Sequence, residues 1–230
     1  MDLIEALRST GAIREFTAEP VDDDTVARIL DTARFAPSGG NAQGWHVVVV
    51  KDPARRARLR DLYLPAWYDY LAMSRAGLRP WAPVNDPADE RQATTAAAEI
   101  AAAAAAAPGF AEHLDTAPVL LALFADLAAM AAADRDLDRY TFIGGASVYP
   151  FAWSLLLAAR TEGLGGVMTT MTVREEPAVR ELLGATGSLA LAGVVALGHP
   201  VRQPRRLRRG AVSSFATVDT VDGPAFGPSQ

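Results

Sequence analysis

Three short polar stretches of this 230-residue chain carry the residue types best suited to chemistry. The first holds Arg8, Ser9, Thr10 and Arg14. The second is Pro37-Ser38-Gly39-Gly40-Asn41-Ala42-Gln43-Gly44, and the third crowds Arg202, Arg205, Arg206, Arg208 and Arg209 into eight residues. A guanidinium fork grips a phosphate ester through parallel N–H bonds, which suits the first and third stretches to an anionic ligand. In the second, Pro37 fixes φ and the paired glycines admit a close backbone approach. Ser38, Asn41 and Gln43 add hydrogen-bonding groups. Each stretch also has a plainer reading. Arg8 and Arg14 serve equally as solvated charges, the 202–209 cluster as a basic turn, and the loop as an ordinary helix-to-strand connection.

Several classes of chemistry lack their residues. The chain has no cysteine, which excludes disulfides, thiolate metal sites and cysteine nucleophiles. His46, His113 and His199 are too few for a multi-histidine metal centre. No Ser-His-Asp order accompanies a nucleophile elbow, and no Walker loop is present. Gly163, Gly165 and Gly166 follow a helix pattern rather than a strand, so they are no dinucleotide fingerprint. A chain poor in nucleophiles and metal ligands, yet furnished with phosphate-holding groups, points to a bound cofactor as the reactive species. The formal charge of −5 argues against nucleic acid as a partner. Charges at Asp2, Glu5, Arg8, Arg14, Glu15 and Glu19 leave no signal-peptide apolar region, and Asp126 interrupts the longest apolar run, Pro118 to Ala133. The expectation is a cytoplasmic protein with no membrane partner.

The elements that must position these stretches read as one α+β domain. Helices are expected at Asp2–Leu7 and Asp22–Phe35, the latter with Val26, Ile29, Leu30 and Ala33 at helical spacing. A fully apolar, buried strand is expected at Trp45–Lys51, then a helix from Asp52-Pro53 towards Leu62. Residues 63–92 interleave Tyr63, Trp67, Tyr68, Tyr70 and Trp81 with prolines. They read as the least regular segment, either a lid, an aromatic rim or a loop packed by its own rings. A single alanine helix follows at Ala93–Ala107. Pro118–Ala125 is a buried strand and Ser147–Glu162 a helix that Gly163 ends in a left-handed cap. The glycines there release the chain into Val167–Met171, and a helix at Glu175–Leu183 and a strand at Leu189–Leu197 complete the set. Beyond Gly198 the arginine-rich tail carries Val212, Phe215, Val218 and Phe226, a pattern that suits an extended arm laid over a neighbouring subunit.

Four segments, in order along the chain, resemble the FMN-dependent nitroreductase family. They are Arg14-Glu15-Phe16 with Pro20-Val21; Ala33 to Trp45, which contains the Pro37-Ser38-Gly39-Gly40-Asn41 loop; Leu155 to Gly165; and Gly198-His199-Pro200 with the arginines beyond it. The chain departs from the family pattern at Thr10-Gly11-Ala12, where many relatives have consecutive basic residues and a serine. Arg8-Ser9 matches that motif across a two-residue gap. Thr169 and Thr170 stand where glycine or glutamate is commoner.

The resemblance implies a nitroreductase-like fold: a central, mostly antiparallel sheet flanked by helices, with a variable helical region at about 63–115 and a C-terminal arm over 199–230 exchanged between subunits. It implies a homodimer with two FMN sites, each built from both chains. One chain would grip the phosphate with Arg14, Arg8, Ser9 or Thr10, Arg206 and Arg208. The other would lay Pro37, Ser38, Gly39, Asn41 and Gln43 against the flavin. Backbone near Met168, Thr169 and Thr170 would face the flavin N5 edge. NADPH or NADH would be the electron donor, and a nitroaromatic, quinone or similar electrophile the acceptor. No side chain is expected to act as a general acid. Similar folds also support alkene reduction, reductive dehalogenation, flavin consumption, a deazaflavin donor, or flavin binding without turnover.

Overall fold

In the computed structural model, residues 1–227 are described. They form a four-stranded sheet with helices on both faces. Seven helices are assigned among these residues: α1 (Leu3–Ser9), α2 (Asp23–Ala33), α3 (Pro53–Arg75), α4 (Pro87–Thr94), α5 (Ala97–Ala106), α6 (Tyr149–Thr161) and α7 (Glu176–Leu183). The strands are β1 (Trp45–Val49), β2 (Val119–Asp126), β3 (Gly165–Thr169) and β4 (Leu189–Gly198), in the order β1-β2-β4-β3. Every ladder is antiparallel. The α+β fold expected from the sequence is therefore the one observed.

Alternation along β2 explains how one apolar run serves two cores. Leu121 and Leu123 point to a cluster with Val26, Ile29 and Ala33 of α2 and Phe151 and Leu155 of α6. Leu120, Ala122 and Phe124 point the other way, against Leu59, Leu62 and Tyr63 of α3 and Val179 of α7. Such two-sided burial requires the near-continuous hydrophobic sequence seen at Pro118–Ala125. The β2–β4 register shifts between Leu123 and Phe124, where Ala192 is the extra residue, and Gly193 follows it. A Cβ on Gly193 would lie 2.7 Å from Met168 Cε and 2.9 Å from the Thr169 carbonyl, so glycine lets β3 approach there.

Capping matches the sequence signals. Asp2, Asp22 and Asp52 each accept a backbone N–H in the first turn of α1, α2 and α3. Gly163 takes φ +82°, and the Leu164 N–H donates back to the Ala159 carbonyl at 2.9 Å, closing α6.

Three expectations need correction. β1 is an edge strand rather than a buried one: His46 is exposed, and Val49 is 37% exposed. Four valines suit any strand, and their run cannot say which edge has a neighbour. Residues 63–75 are helical, continuing α3 through Pro65. That proline is exposed, so it removes one hydrogen bond on the solvent side while Leu59, Leu62, Tyr63, Ala66 and Met73 bury the opposite stripe. The alanine-rich segment is two helices, parted at Thr95 and Ala96. There the Thr94 and Thr95 hydroxyls bond the carbonyls of Arg91 and Gln92, competing with the helix ladder.

Beyond β4 the tail carries a 3-10 turn at Val212–Ser214 and a turn over 218–223 closed by a bridge between Thr217 and Ala225. It returns to the chain start, where the Leu207 N–H donates to the Arg8 carbonyl at 2.7 Å. Farther out, Phe215, Val221 and Phe226 are 75%, 97% and 59% exposed. The last part of the expected arm, 228–230, lies outside the described residues.

Candidate functional site

The first half of the site is assembled where the N-terminal segment is stitched between β3 and the end of β4. Ile13 donates to Gly166 at 2.9 Å, Thr17 to His199 at 2.8 Å, and Val201 back to Glu15 at 3.1 Å. These bonds hold Arg14 beside the chain that leaves β4. Gln203 Nε2 then donates to the Ser9 carbonyl at 2.9 Å. Between these strands lies a cavity of about 920 Å3 lined by Arg14, Glu15, Arg202, Gln203, Arg205 and Arg206, among others. None of its four arginines forms a salt bridge among the described residues. Thr10 Oγ1 is buried behind the segment without a hydrogen-bond partner, as is Gln203 Oε1. Unneutralised guanidiniums around a space of this size suit a phosphate-bearing ligand.

Not every arginine named from the sequence reaches this cavity. Arg206 lines it; Arg208 does not, and its carbonyl accepts from Arg209 Nη1. The reason is Leu207, whose Cδ2 lies 2.9 Å from where a Gly11 Cβ would stand. It anchors the arm at that point, and Arg208 follows beyond the anchor. Arg202 and Arg205 take its place. Arg8 is exposed and contributes its carbonyl to the arm. Ser9 is buried and spends its hydroxyl on the Glu5 carbonyl at 2.8 Å.

The second half is the loop from Pro37 to Gly44. Gly40, Asn41 and Gln43 take φ of +59°, +53° and +51°. For Asn41 and Gln43 this is a costly conformation that the surroundings must enforce. They do: Ser38 Oγ accepts from the Gln43 N–H at 2.9 Å, and the Asn41 N–H donates to the Ser38 carbonyl at 2.9 Å. Ser147, 108 residues away in sequence, accepts the Gly39 N–H on its Oγ at 3.0 Å. A cavity of about 350 Å3 is lined by Pro37, Ser38 and Gly39 of the loop and by a second wall of Ala131, Ala133, Ile143, Ala146 and Ser147, the two meeting at the Ser147–Gly39 bond.

That facing wall went unread in the sequence. It is pinned by Asp134, whose carboxylate is buried and accepts from Thr141 Oγ1 and Arg139 Nη1 at 2.8 Å, the Phe142 N–H at 2.9 Å and the Ile143 N–H at 3.3 Å. Burial by itself pushes this carboxyl up. The bonds from Phe142, Thr141, Arg139 and Ile143 outweigh it and hold the group well below the usual carboxylate range. Nothing in Asp134-Arg135-Asp136 distinguishes that carboxylate from its neighbours, because two of its four donor groups are backbone N–H groups of a later turn.

Met168 and Thr169, half-buried at the end of β3, stand near the first half, and Thr170 is exposed. Tyr63 of α3 reaches the same place. Burial raises its phenol, opposed by the polar Thr169 side chain and by the charge of Arg14. Tyr63 begins an aromatic column on α3: Trp67 lies 6.1 Å from it, Tyr70 lies 5.5 Å from Trp67 at 7°, and Trp81 lies 6.4 Å from Tyr70. Trp67 also lines a third cavity, of about 880 Å3, with Phe16, Phe110 and His113. Arg14 and Glu15 line both this cavity and the arginine-rich one. The Ser38 cavity shares no lining residue with either.

Comparisons with known proteins agree with this architecture. The chain is 31% identical over 206 residues to the 5,6-dimethylbenzimidazole synthase of Rhodospirillum rubrum, covering 85% of this chain and 82% of that protein. It is 27% identical over 201 residues to the rat (Rattus norvegicus) iodotyrosine deiodinase 1, where 87% of this chain spans 63% of the relative's length. Among solved structures, the NADPH:FMN oxidoreductase of Vibrio harveyi complexed with NAD+ superposes with a TM-score of 0.59 at 23% identity. The match covers 92% of this chain and 74% of that one, a likeness of fold. The model of the nitroreductase family matches residues 7–199, from just before Arg8 to just after β4. The chain therefore belongs to the nitroreductase family.

Proposed function

We propose that this chain is an FMN-dependent oxidoreductase that uses NADPH or NADH to reduce nitroaromatic, quinone or similar electrophilic acceptors. The observation that carries the reading is the cavity at Arg14, Arg202, Arg205 and Arg206. There four arginines without a salt bridge among the described residues outnumber the one carboxylate, Glu15, and fit the FMN phosphate. When bound, FMN supplies hydride acceptance and donation in two separate half-reactions. The arginines would hold the phosphate bidentately. Arg14, shared by two cavities, would also place positive charge beside the ring and favour its reduced, anionic form. Thr169 and Thr170 would border the ring where hydride arrives. The names of the Vibrio harveyi protein and its bound NAD+ support both cofactor and donor.

The loop at Pro37–Gln43 would complete the site of a second copy of the chain. Its cavity has no residue in common with that at Arg14, so one chain offers two separate half-sites. Exposed apolar residues support a homodimer: Leu3 and Phe35 are 67% and 75% exposed, and the arm carries Phe215 and Phe226. Among the described residues no helix is long and apolar enough to cross a membrane.

A second reading is favoured by the relatives at 27% and 31% identity: reductive dehalogenation, or consumption of the flavin itself. The test is anaerobic stopped-flow on the FMN-loaded protein. NADPH or NADH should bleach the flavin, and nitrofurazone or menadione should restore its colour. Reoxidation by an iodotyrosine alone would favour the second reading. A protein that stays colourless after reconstitution, or that neither nucleotide bleaches, would overturn the first.

A further inference from the structure

The wall facing the Pro37–Gln43 loop has a donor to spare. Ser147 is buried, and its oxygen accepts the Gly39 N–H at 3.0 Å. A serine hydroxyl that accepts one bond still has its proton to give. Among the described residues no acceptor takes it, although the side chain borders the cavity of about 350 Å3. The rest of that lining is small: Ala131, Ala133, Ala146 and Gly39 present little more than methyl groups and backbone, beside Pro37, Ile143 and the Ser38 hydroxyl. A cavity of this size lined by small residues has room for one planar ring, and a buried donor at its edge favours a ring with an acceptor there. Ser38 Oγ, which accepts the Gln43 N–H, offers a second hydroxyl from the loop side.

The position of the donor is set from a distance. Asp134 fixes the N–H groups of Phe142 and Ile143, which open the 3-10 turn Ile143–Ser147. Ser147 ends that turn, and Val148 stands between it and α6 as the helix's N-cap. Val148 and Phe151 bury the start of α6 in the core, so the hydroxyl is held from both sides. Preorganised donors of this kind act without first having to reorient.

We propose that Ser147 is a ligand-contacting residue: it donates its hydroxyl proton to a planar heteroaromatic ring lodged between the Pro37–Gly39 loop and the Ala131–Ser147 wall. This rests on the reading of the loop as part of a flavin site, and the ring it would take is then the edge of the flavin. The same oxygen positions the loop through Gly39, so Ser147 joins the two walls of the slot.

The test compares the full-length wild type with Ser147→Ala and Ser147→Thr, using FMN as the probe. Three readouts are taken: FMN dissociation constant from quenching of flavin fluorescence, the visible absorption spectrum at saturation, and the melting temperature of the FMN-free protein. Loss of one neutral hydrogen bond should weaken FMN binding about tenfold in Ser147→Ala. It should also move the flavin absorption bands and leave the FMN-free melting temperature close to wild type. Ser147→Thr, which keeps the hydroxyl, should retain the wild-type bands. Weaker binding with an unmoved spectrum would assign Ser147 to holding Gly39 alone and would overturn the contact. Unchanged affinity with a lowered melting temperature would overturn it as well. A wild-type protein that binds no FMN would instead bring down the functional reading on which the proposal stands.

Discussion

Ile13 and Gly166 share one backbone hydrogen bond of 2.9 Å, and through it the N-terminal segment takes its place beside β3. Ala12 makes a parallel bridge to the same glycine. Arg14 is the next residue out, so its reach into the cavities depends on how closely the segment lies against the sheet. Gly165 controls that approach. A Cβ there would stand 2.6 Å from Ile13 Cγ1 and 3.0 Å from Ile13 Cβ.

Gly165→Ala should therefore push the segment off the sheet. Overpacking of this kind costs about 1–3 kcal/mol. The expected result is a lowered melting temperature together with weaker FMN binding, because Arg14 moves with Ile13. Calorimetry and a flavin fluorescence titration read the two effects separately. Unaltered FMN affinity in a destabilised protein would show that Arg14 does not depend on this contact.

Arg14→Ala and Arg206→Ala remove single charge-assisted partners of the proposed phosphate. Each should weaken FMN binding by about ten- to a hundredfold, and the loss should shrink as salt screens the remaining charges. Arg28→Ala is the matched control. Arg28 pairs with Glu162 on the surface at 2.9 Å, away from the cavities, and its loss should leave FMN binding unaltered.

Trp67 should govern the acceptor more than the flavin. Its ring is locked between Tyr63 and Tyr70 and also lines the cavity that adjoins Arg14. Trp67→Ala should raise the KM for aromatic acceptors several-fold while FMN affinity changes less than about twofold. Trp67→Phe, which keeps an aromatic face, should lie between the two. Steady-state kinetics on FMN-saturated protein distinguish these outcomes.

Acid should loosen the wall that carries Ser147. The Asp134 carboxyl titrates lower in the folded chain than in the unfolded one, so its contribution is present above the unfolded value of about 3.9. It is lost as pH falls below that value towards the folded one. Asp134→Asn should thus be less stable than wild type at neutral pH. The difference should stay constant down to about pH 5 and narrow below about pH 4. Thermal denaturation of both proteins between about pH 3 and pH 7 gives the comparison. A difference that grew on acidification would contradict the assignment.

Leu155 tests the core on the α2–α6 face. It is fully buried against the sheet. Leu155→Ala should cost about 2–5 kcal/mol through lost burial and the cavity left behind. Chemical denaturation measures the change.

The helices of the two cores were legible because their signals are local. Asp22 caps a helix whose Val26, Ile29 and Ala33 recur at one turn's spacing, and Gly163 can take the left-handed backbone that ends α6. The edge position of β1 was not legible, since a strand's sequence describes its faces rather than its neighbours. The helical course of residues 63–75 was hidden by Pro65, which reads as a breaker until the buried stripe on the opposite side is seen. In the candidate site, Arg14, Arg206 and the Pro37–Gln43 loop were visible as residue types. Arg202 and Arg205 were visible as part of a cluster, but not as the members that line the cavity. Ser147 left no trace because its partner Gly39 is brought to it by the fold, and Asp134 left none because its partners, five to nine residues on, lie in an irregular loop that no periodicity marks.

By itself the sequence determined the chemical stock of this protein: arginines for an anion, a glycine-rich loop ahead of a valine strand, and neither cysteines nor a hydrolytic constellation. It determined the helix ends and most of the strands too, for capping and periodicity act over a few residues. The tertiary structure decided which groups face one another. Leu207 anchors the arm and thereby separates Arg206 from Arg208, Ile13 sets Arg14 against β3, and Ser147 reaches Gly39 across 108 residues. Contacts of that span depend on the order of strands and the packing of helices across the sheet, which no local stretch of sequence encodes.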